Sequence, residues 1–577
     1  MKGSTAWPLR VAARPDREAG AIWLRLGAIV AIGLLALLFF AARPPLLPSD
    51  DAAIYVSSAQ ALARGLGYRL LGYPAEPANT FYPPGYSIAL LPPFVVQPDF
   101  PANLPLLQFA SLIVFLAFLG LATCTLQCSG ASTLETALAL LLAASTPLAL
   151  FQSTAVMSDT LYGALALGSV LLVHAGQRES GRRAWLLLLG GGLLATAACY
   201  TRLVGLALLG AFAVDLLRRR EADWRRVAVL LLPAALVLPW FVTAASLGGS
   251  GYLRHWQDGT PGWSLSMDGP ETLLLVLVGN LLLGGDILTV VAPAVVDKSV
   301  LPGVTPMHPL AWLAAASLYC YVLWQSWLRW RRGGGLVHLY LLFYLLLTAL
   351  WPYRVLGRLL WPVAPLLAWY LVTGLARLWA PIAEHLGTRA RADLLIVGAL
   401  LLANAAWLVD VALRTAAGEW VGNPTDKAAV LAMHRASEYL NALDPGDSAL
   451  GSNHVNAAAW WFLYTGHQGF DAVVRADGAQ PFYVRRALQG DPETIRYFVY
   501  HRNNGSTPRG GEADLPLVLA ALEARHASTT PLYCTDDGGV CIFDWRAGTQ
   551  AAAAGRALEA DTDGEAAAGS ATASDSP

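Results

Sequence analysis

The chain has 577 residues, of which 55% are hydrophobic and only 14% charged, and its mean hydropathy is +0.48. Soluble domains carry about 25% charged residues, so the composition excludes a conventional soluble enzyme, a nucleic-acid binder and a disordered scaffold. The net charge of -1 conceals a split: residues 415–577 hold 11 Lys and Arg against 20 Asp and Glu, whereas the first 414 hold 28 against 20.

In chain order, residues 1–21 form a cytoplasmic N-terminal segment. Apolar runs near the ~20 residues that cross about 30 Å of hydrocarbon follow at 22–42, 104–126, 133–150, 157–175, 184–199, 203–217, 226–247, 308–328, 336–351, 359–379 and 393–413. The expected fold class is an α-helical polytopic membrane protein with about 11 transmembrane helices. The pair 184–199 and 203–217 reads as a hairpin with Tyr200-Thr201-Arg202 at its tip. Lys and Arg in short loops mark the cytoplasmic side. They stand at Lys2, Arg10, Arg14, Arg17 and Arg25, at Arg178, Arg182 and Arg183, at Arg218 to Arg220 with Arg225 and Arg226, at Arg329, Arg331 and Arg332, and at Arg377, Arg389 and Arg391. Placing these inside sets the amino terminus inside and the carboxyl terminus outside. It also makes the apolar stretch 272–291 an interfacial or re-entrant segment on the outer face, since a full span there would carry Arg329 to Arg332 across. The first run is long, lacks a cleavage site and is expected to stay as a span.

The transmembrane body is thus 22–414, with outer loops at 43–103 and 248–307. Residues 415–546 form an extracytoplasmic α/β domain, in which 426–443 and 514–525 read as helices, 495–501 as a strand and 530–545 as a hairpin. Residues 547–577 lack aromatics and are expected to be disordered. Cys124, Cys128, Cys199 and Cys320 lie in or beside spans as small packing residues. Cys534 and Cys541 flank a Thr-Asp-Asp-Gly-Gly-Val turn signal. Outside the cell a disulfide stapling that hairpin is expected.

The first outer loop carries the chemistry-bearing residues. It opens Pro48-Ser49-Asp50-Asp51-Ala52-Ala53-Ile54-Tyr55, runs as a helix to Arg64-Gly65, and reaches Glu76 and Phe81-Tyr82-Pro83-Pro84-Gly85-Tyr86. Capping of a surface helix accounts for the acidic pair on local grounds. Their place near the lipid boundary offers a second account. The apolar side of the helix (Ala52, Ala53, Ile54, Ala59, Ala61, Leu62) suits a membrane surface. A carboxylate beside such a surface has raised proton affinity and can take a proton from a hydroxyl nucleophile.

This order of features resembles the polytopic GT-C class of glycosyltransferases, nearest in pattern to the lipid A aminoarabinose transferases and the protein O-mannosyltransferases. Further matches are Met157-Ser158-Asp159-Thr160-Leu161, Tyr200-Thr201-Arg202-Leu203-Val204-Gly205 and the run Tyr353-Arg354-Val355-Leu356-Gly357-Arg358-Leu359-Leu360-Trp361-Pro362. The resemblance covers about residues 20–415. It implies an inverting transferase that takes a sugar from a polyprenyl-phosphate donor on the outer face, with Asp50 as general base and Asp51 as second candidate. The class often has Asp-Glu where this chain has Asp50-Asp51.

A lipid-phosphate leaving group needs cations at the outer boundary, and arginine suits phosphate through its bidentate fork. Arg202, Arg354 and Arg358 are the candidates, the last two spaced to share a helical face. Charges this close to lipid default to a functional role, with snorkelling to headgroups as the alternative. Asp159 either orients Arg202 or the donor, or completes a helix cap. Glu76 is a candidate for a sugar hydroxyl, or a solvated loop charge. Tyr55, Tyr82 and Tyr86 are candidates for stacking on sugar or lipid, or interfacial anchors. No Walker loop, dinucleotide fingerprint or zinc motif is present in the sequence, so no metal and no cofactor is expected beyond the lipid-linked donor as substrate. The expected partners are that donor, a lipid, glycan or protein acceptor, and membrane lipids, with no nucleic acid. High Ala, Gly and Leu, with Arg far exceeding Lys, fits a GC-rich bacterial genome, and the expected location is a bacterial inner (plasma) membrane with the active site on its periplasmic or extracellular face. The alternative is a polytopic transporter or lipid flippase with an external domain. Such a protein would place its charges near the bilayer midplane, whereas here they gather at the outer boundary.

Overall fold

The computed structural model describes residues 27–37 in part, 51–218 except 75, 224–247, 286–291, 309–350, 357–386, 392–416, 424–444, 448–453, 457–471, 495–502 and 515–546 except 525 and 537. In the first loop, helix α1 (Ala52–Ala63) is followed by two short helices, α2 (Gly85–Ala89) and α3 (Leu91–Val96). The body begins with α4 (Leu104–Cys128), 25 residues of nearly unbroken apolar sequence. α5 (Thr133–Ala144) starts on a full capping box, in which Ser132 Oγ accepts from the Glu135 amide and Glu135 accepts from the Ser132 amide. α6 (Pro147–Thr154) starts on Thr146, whose hydroxyl accepts from the Ala149 amide. The chain bends sharply between α5 and α6. The apolar run 133–150 is therefore not one straight rod, because the cap at Thr146 and Pro147 restarts the helix.

α7 (Ser158–Arg178) and α8 (Gly181–Thr201) are each 21 residues long and antiparallel neighbours. Small residues let them approach. Ser169 Oγ donates to the Gly191 carbonyl at 2.6 Å, and a Cβ on Gly191 would stand 2.6 Å from Val173 Cγ2. A short 3-10 turn at Leu203–Gly205 leads into α9 (Leu206–Arg218). Then come α10 (Trp224–Leu231), a 3-10 stretch at Leu232–Val237, and α11 (Leu238–Ser246). α12 (Asp286–Val291) is the described part of the stretch 272–291, and its Ile287, Leu288, Val290 and Val291 are buried in the core. α13 (Pro309–Arg331), α14 (Leu336–Ala349), α15 (Gly357–Leu360), α16 (Ala364–His385) and α17 (Ala392–Ala416) complete the body.

Among the described residues five helices are long and apolar enough to cross a membrane, Leu104–Cys128, Ser158–Arg178, Gly181–Thr201, Val227–Ser246 and Gly357–His385, or six if the bent pair counts as one. The expected runs at 203–217 and 336–351 are helical but give only 13 and 14 residues, short of the ~20 a straight crossing needs. The arginines sort by helix end. Asp159 opens α7 and Arg202 follows α8, whereas Arg178, Arg182 and Arg183 lie at the other ends of the same two helices. About 30 Å separates the ends of a 21-residue helix.

The C-terminal part contains α18 (Pro424–Leu443), α19 (Ala457–Thr465) and α20 (Leu515–Ala524) with strands β1 (Ala449–Ser452), β2 (Gly469–Asp471), β3 (Ile495–His501), β4 (Tyr533–Cys534) and β5 (Val540–Asp544). They form one sheet of order β2-β1-β3-β5-β4. β1 pairs parallel with β2 and β3, and β5 pairs antiparallel with β3 and β4. Cys534 and Cys541 form a disulfide across the β4–β5 pair. β3 reads as a near-continuous apolar run because all but one of its residues are buried.

This sheet docks on the first loop. The Gly469 amide donates to the Gly72 carbonyl at 2.8 Å, and a Cβ on Gly72 would meet the Ala459 Cα at 2.7 Å. α1 packs against α19, α2 and α3, so every residue from Ala52 to Ala61 is buried. This corrects the expectation that one side of α1 lies on the membrane. Its Ala and Ser residues instead allow protein to close around it, with Trp460 and Trp461 among the covering side chains.

The contact between loop and body is equally tight at Gly85, where a Cβ would lie 2.7 Å from the Tyr200 carbonyl carbon and oxygen. Gly85→Ala is expected to cost about 1–3 kcal/mol by overpacking, read as a lower thermal midpoint of the detergent-solubilised protein. Gly120→Ala, which meets nothing within 4 Å, is the control and should not lower the midpoint.

Candidate active site at the helix ends

Because α7 and α8 are antiparallel and equally long, the first turn of one is level with the last turn of the other. The sequence puts Asp159 in that first turn and Arg202 just past that last turn. An acidic residue near a helix N-terminus and a cation near a C-terminus are each favoured by the helix dipole. Arg202 is extended, with φ -152° and ψ 137°. The following turn depends on Gly205, where a Cβ would sit 2.7 Å from the Cys199 amide nitrogen. Arg202 Nη1 donates to Asp159 Oδ1 at 2.7 Å and to Ser158 Oγ at 3.1 Å. Ser158 Oγ in turn meets Tyr55 OH at 3.0 Å, which ties this pair to α1.

Asp51 precedes α1 but makes no capping hydrogen bond. Its Oδ1 accepts from Tyr82 OH at 2.5 Å and its Oδ2 from Arg358 Nη2 at 2.7 Å. Arg358 Nε lies 4.0 Å from Asp159 Oδ2. Four charges therefore alternate along one chain of contacts, Asp51, Arg358, Asp159 and Arg202. Asp159 likewise spends its carboxylate on an arginine, and no side-chain cap is formed at the start of α7. Capping accounts for neither acid.

Arg358 is carried by α15, and that short helix is pinned from two sides. Tyr344 OH, from α14, donates to the Leu359 carbonyl at 2.5 Å. Trp361 Nε1 donates to Thr160 Oγ1 at 3.1 Å, next to Asp159, and its ring stacks on Phe115. Sequence reasoning did not assign these roles to Tyr344, Trp361, Thr160 or Ser158. The only available signal was that three of them sit inside the quoted runs around Asp159 and Arg358.

The structure thus brings together Asp51, Asp159, Arg202, Arg358, Tyr55 and Tyr82 from the sequence-derived set. Tyr55, Tyr82 and Tyr86 are buried, with Tyr55 4.9 Å from both other rings. They pack on one another, while Tyr82 also donates to Asp51 and Tyr55 meets Ser158, the hydroxyl that accepts from Arg202. Glu76 faces elsewhere: its Oε1 accepts from Gln468 Nε2 at 3.4 Å, beside the C-terminal sheet. Asp50 and Arg354 lie outside the described residues, as do residues 248–271, expected in the second outer loop.

No protein-family model matches the chain, and no curated protein matches it. Solved structures do. Apo ArnT from Cupriavidus metallidurans has a TM-score of 0.53 at 14% identity, over 92% of this chain and 99% of that one. The same protein bound to undecaprenyl phosphate gives the same values. The archaeal oligosaccharyltransferase AglB from Archaeoglobus fulgidus, in complex with an inhibitory peptide and a dolichol-phosphate, has a TM-score of 0.51 at 11% identity, over 90% of this chain and 74% of that one. The chain has the GT-C fold. Within that fold, the first loop and the ends of α7, α8 and α15 supply the four-charge chain.

The electrostatics of Asp51 differ from the expectation of raised proton affinity. Burial pushes its carboxyl up, but the Arg358 guanidinium, the Tyr82 hydrogen bond and the Arg202 charge outweigh that and hold it below its ordinary value of 3.8. A depressed folded-state pKa contributes stability that is fully present above 3.8 and is lost as pH falls through the lower folded value. Asp51→Asn is therefore expected to unfold at a lower temperature than the wild type near neutral pH. The gap between the two midpoints should close as the pH is taken below 3.8. A gap that stays constant into that range would show that the ion pair contributes nothing to folding.

Proposed function

We propose that the protein is a membrane glycosyltransferase that moves a sugar from a polyprenyl-phosphate donor to a hydroxyl of an envelope lipid, glycan or protein, with inversion, at the outer face of a bacterial plasma membrane. The observation that carries this is the meeting of a first-loop carboxylate with two helix-end arginines in one chain of contacts. The loop cations Arg178, Arg182 and Arg183 lie at the opposite helix ends. By the positive-inside rule those ends are cytoplasmic, so the site faces out. The ArnT and AglB structures hold undecaprenyl phosphate and a dolichol-phosphate respectively, ligands of the class that a guanidinium fork suits.

In the proposed reaction the acceptor hydroxyl oxygen attacks the anomeric carbon on the face opposite the phosphate. The bond from that carbon to the phosphate oxygen breaks, and its electron pair leaves with polyprenyl phosphate. The hydroxyl proton passes to a carboxylate. Asp51 is the base on this proposal, with Asp50 as the second candidate, because Asp51 accepts from both Arg358 and Tyr82. Arg358 carries the charge developing on the leaving phosphate, and Arg202 adds its field from behind Asp159. The guanidiniums supply the neutralisation, with the lipid-linked sugar as substrate and no separate cofactor. Charges at helix ends fit surface chemistry better than the midplane sites of transporters.

The test is transfer by washed membranes supplied with labelled polyprenyl-phosphate sugars. Asp51→Asn should lower transfer by about 10²-fold or more with the protein still present in the membrane, and Asp50→Asn should retain most of it. Arg358→Ala should raise the donor KM. If Asp50→Asn is the inactive variant instead, the base is Asp50. If wild-type membranes use none of the polyprenyl-phosphate sugars tried, the transferase proposal is wrong.

A further inference from the structure

We propose that Asp51 is an internal stand-in for the donor: its carboxylate occupies the place on Arg358 that the donor phosphate takes, so that donor binding itself releases Asp51 to act on the acceptor. This rests on the glycosyl-transfer function proposed above. Among the described residues the site holds two carboxylates and two guanidiniums in alternation, so their formal charge sums to zero. A phosphate entering such a cluster meets cations that are already compensated. It gains full charge-assisted bonding only if a carboxylate leaves its arginine.

Burial decides which carboxylate moves. The Asp159 side chain is 0% exposed and its Arg202 partner 10%, whereas Asp51 and Arg358 are 15% and 23% exposed. The Asp51–Arg358 contact is therefore the outer of the two and the one that an incoming ligand meets. Arg358 also has somewhere to settle. Asp159 Oδ2 is buried without a hydrogen bond and stands 4.0 Å from Arg358 Nε. A small pivot of the guanidinium closes that gap and keeps the arginine paired while its outer nitrogens turn to phosphate. A buried acceptor left without a partner favours such a movement.

Asp51 is not lost when this happens, because Tyr82 OH still donates to its Oδ1. A carboxylate that loses a cation at 2.7 Å gains proton affinity. Asp51 is thus a poor base before the donor arrives and a better one afterwards. The acceptor hydroxyl is activated only when there is a sugar to receive it, and binding is ordered, donor first.

The experiment measures binding of polyprenyl phosphate to the purified full chain in lipid nanodiscs, for the wild type, Asp51→Asn, Asp51→Ala and Arg358→Ala. Removing the internal competitor should tighten binding by about tenfold or more in the first two variants, while Arg358→Ala should weaken it by a similar factor. Two Asp51 variants are used so that one that fails to fold does not decide the result. If a folded Asp51 variant binds as the wild type does, or more weakly, while Arg358→Ala still weakens binding, the stand-in role is wrong and the phosphate site survives. If Arg358→Ala leaves binding unchanged, the phosphate site itself is wrong. Tighter binding in the Asp51 variants together with weaker binding in Arg358→Ala supports the proposal.

Discussion

Two carboxylates and two guanidiniums hold one another in place where the helix bundle meets the first loop, and side chains from several elements fasten the segments that carry them. Each of these charges would be costly to bury alone. Together they alternate in sign over four residues that come from three separate parts of the chain. Asp159 and Arg202 are set by the α7–α8 hairpin. Arg358 is set by a short helix fastened at Leu359 and Trp361. Asp51 is set by Tyr82 from across its own loop. A local displacement of any one of them exposes the others to an uncompensated partner.

The aromatic residues of the first loop are part of the same arrangement. Tyr55 reaches Ser158 and thereby Arg202, while Tyr82 reaches Asp51. Their rings contact one another, so a single packed cluster fixes two hydroxyls at the positions the charges require. This use of tyrosine, with an apolar body for packing and a polar tip for one directed bond, is general in buried sites.

Some of this could be read from residue order. Asp159 and Arg202 were singled out because each lies at a helix end within a run that resembles the GT-C class, whereas the level pairing of α7 with α8 emerged only from the fold. Arg358 stood out as an outer cation in an apolar setting. The contact of Asp51 with Arg358 was not legible, because 307 residues separate the two and only the packed structure brings them together. Nor was the partner of Tyr82, since a hydroxyl to carboxylate bond across 31 residues leaves no local pattern. The broken run at 133–150 was missed because hydropathy registers apolarity and not the helix restart at Thr146 and Pro147. The strands β1 and β2 were missed because at four and three residues they are too short to show alternation.

The burial of α1 bears on how the protein comes to be made. Ala52–Ala61 are enclosed in part by α19, a segment some 400 positions later and therefore synthesised long after them. Until that late segment exists, the helix after Asp51 lacks one of its walls and is held by α2, α3 and the Tyr82 bond alone among these contacts. The enclosure of α1 is therefore complete only once the chain has grown past Thr465.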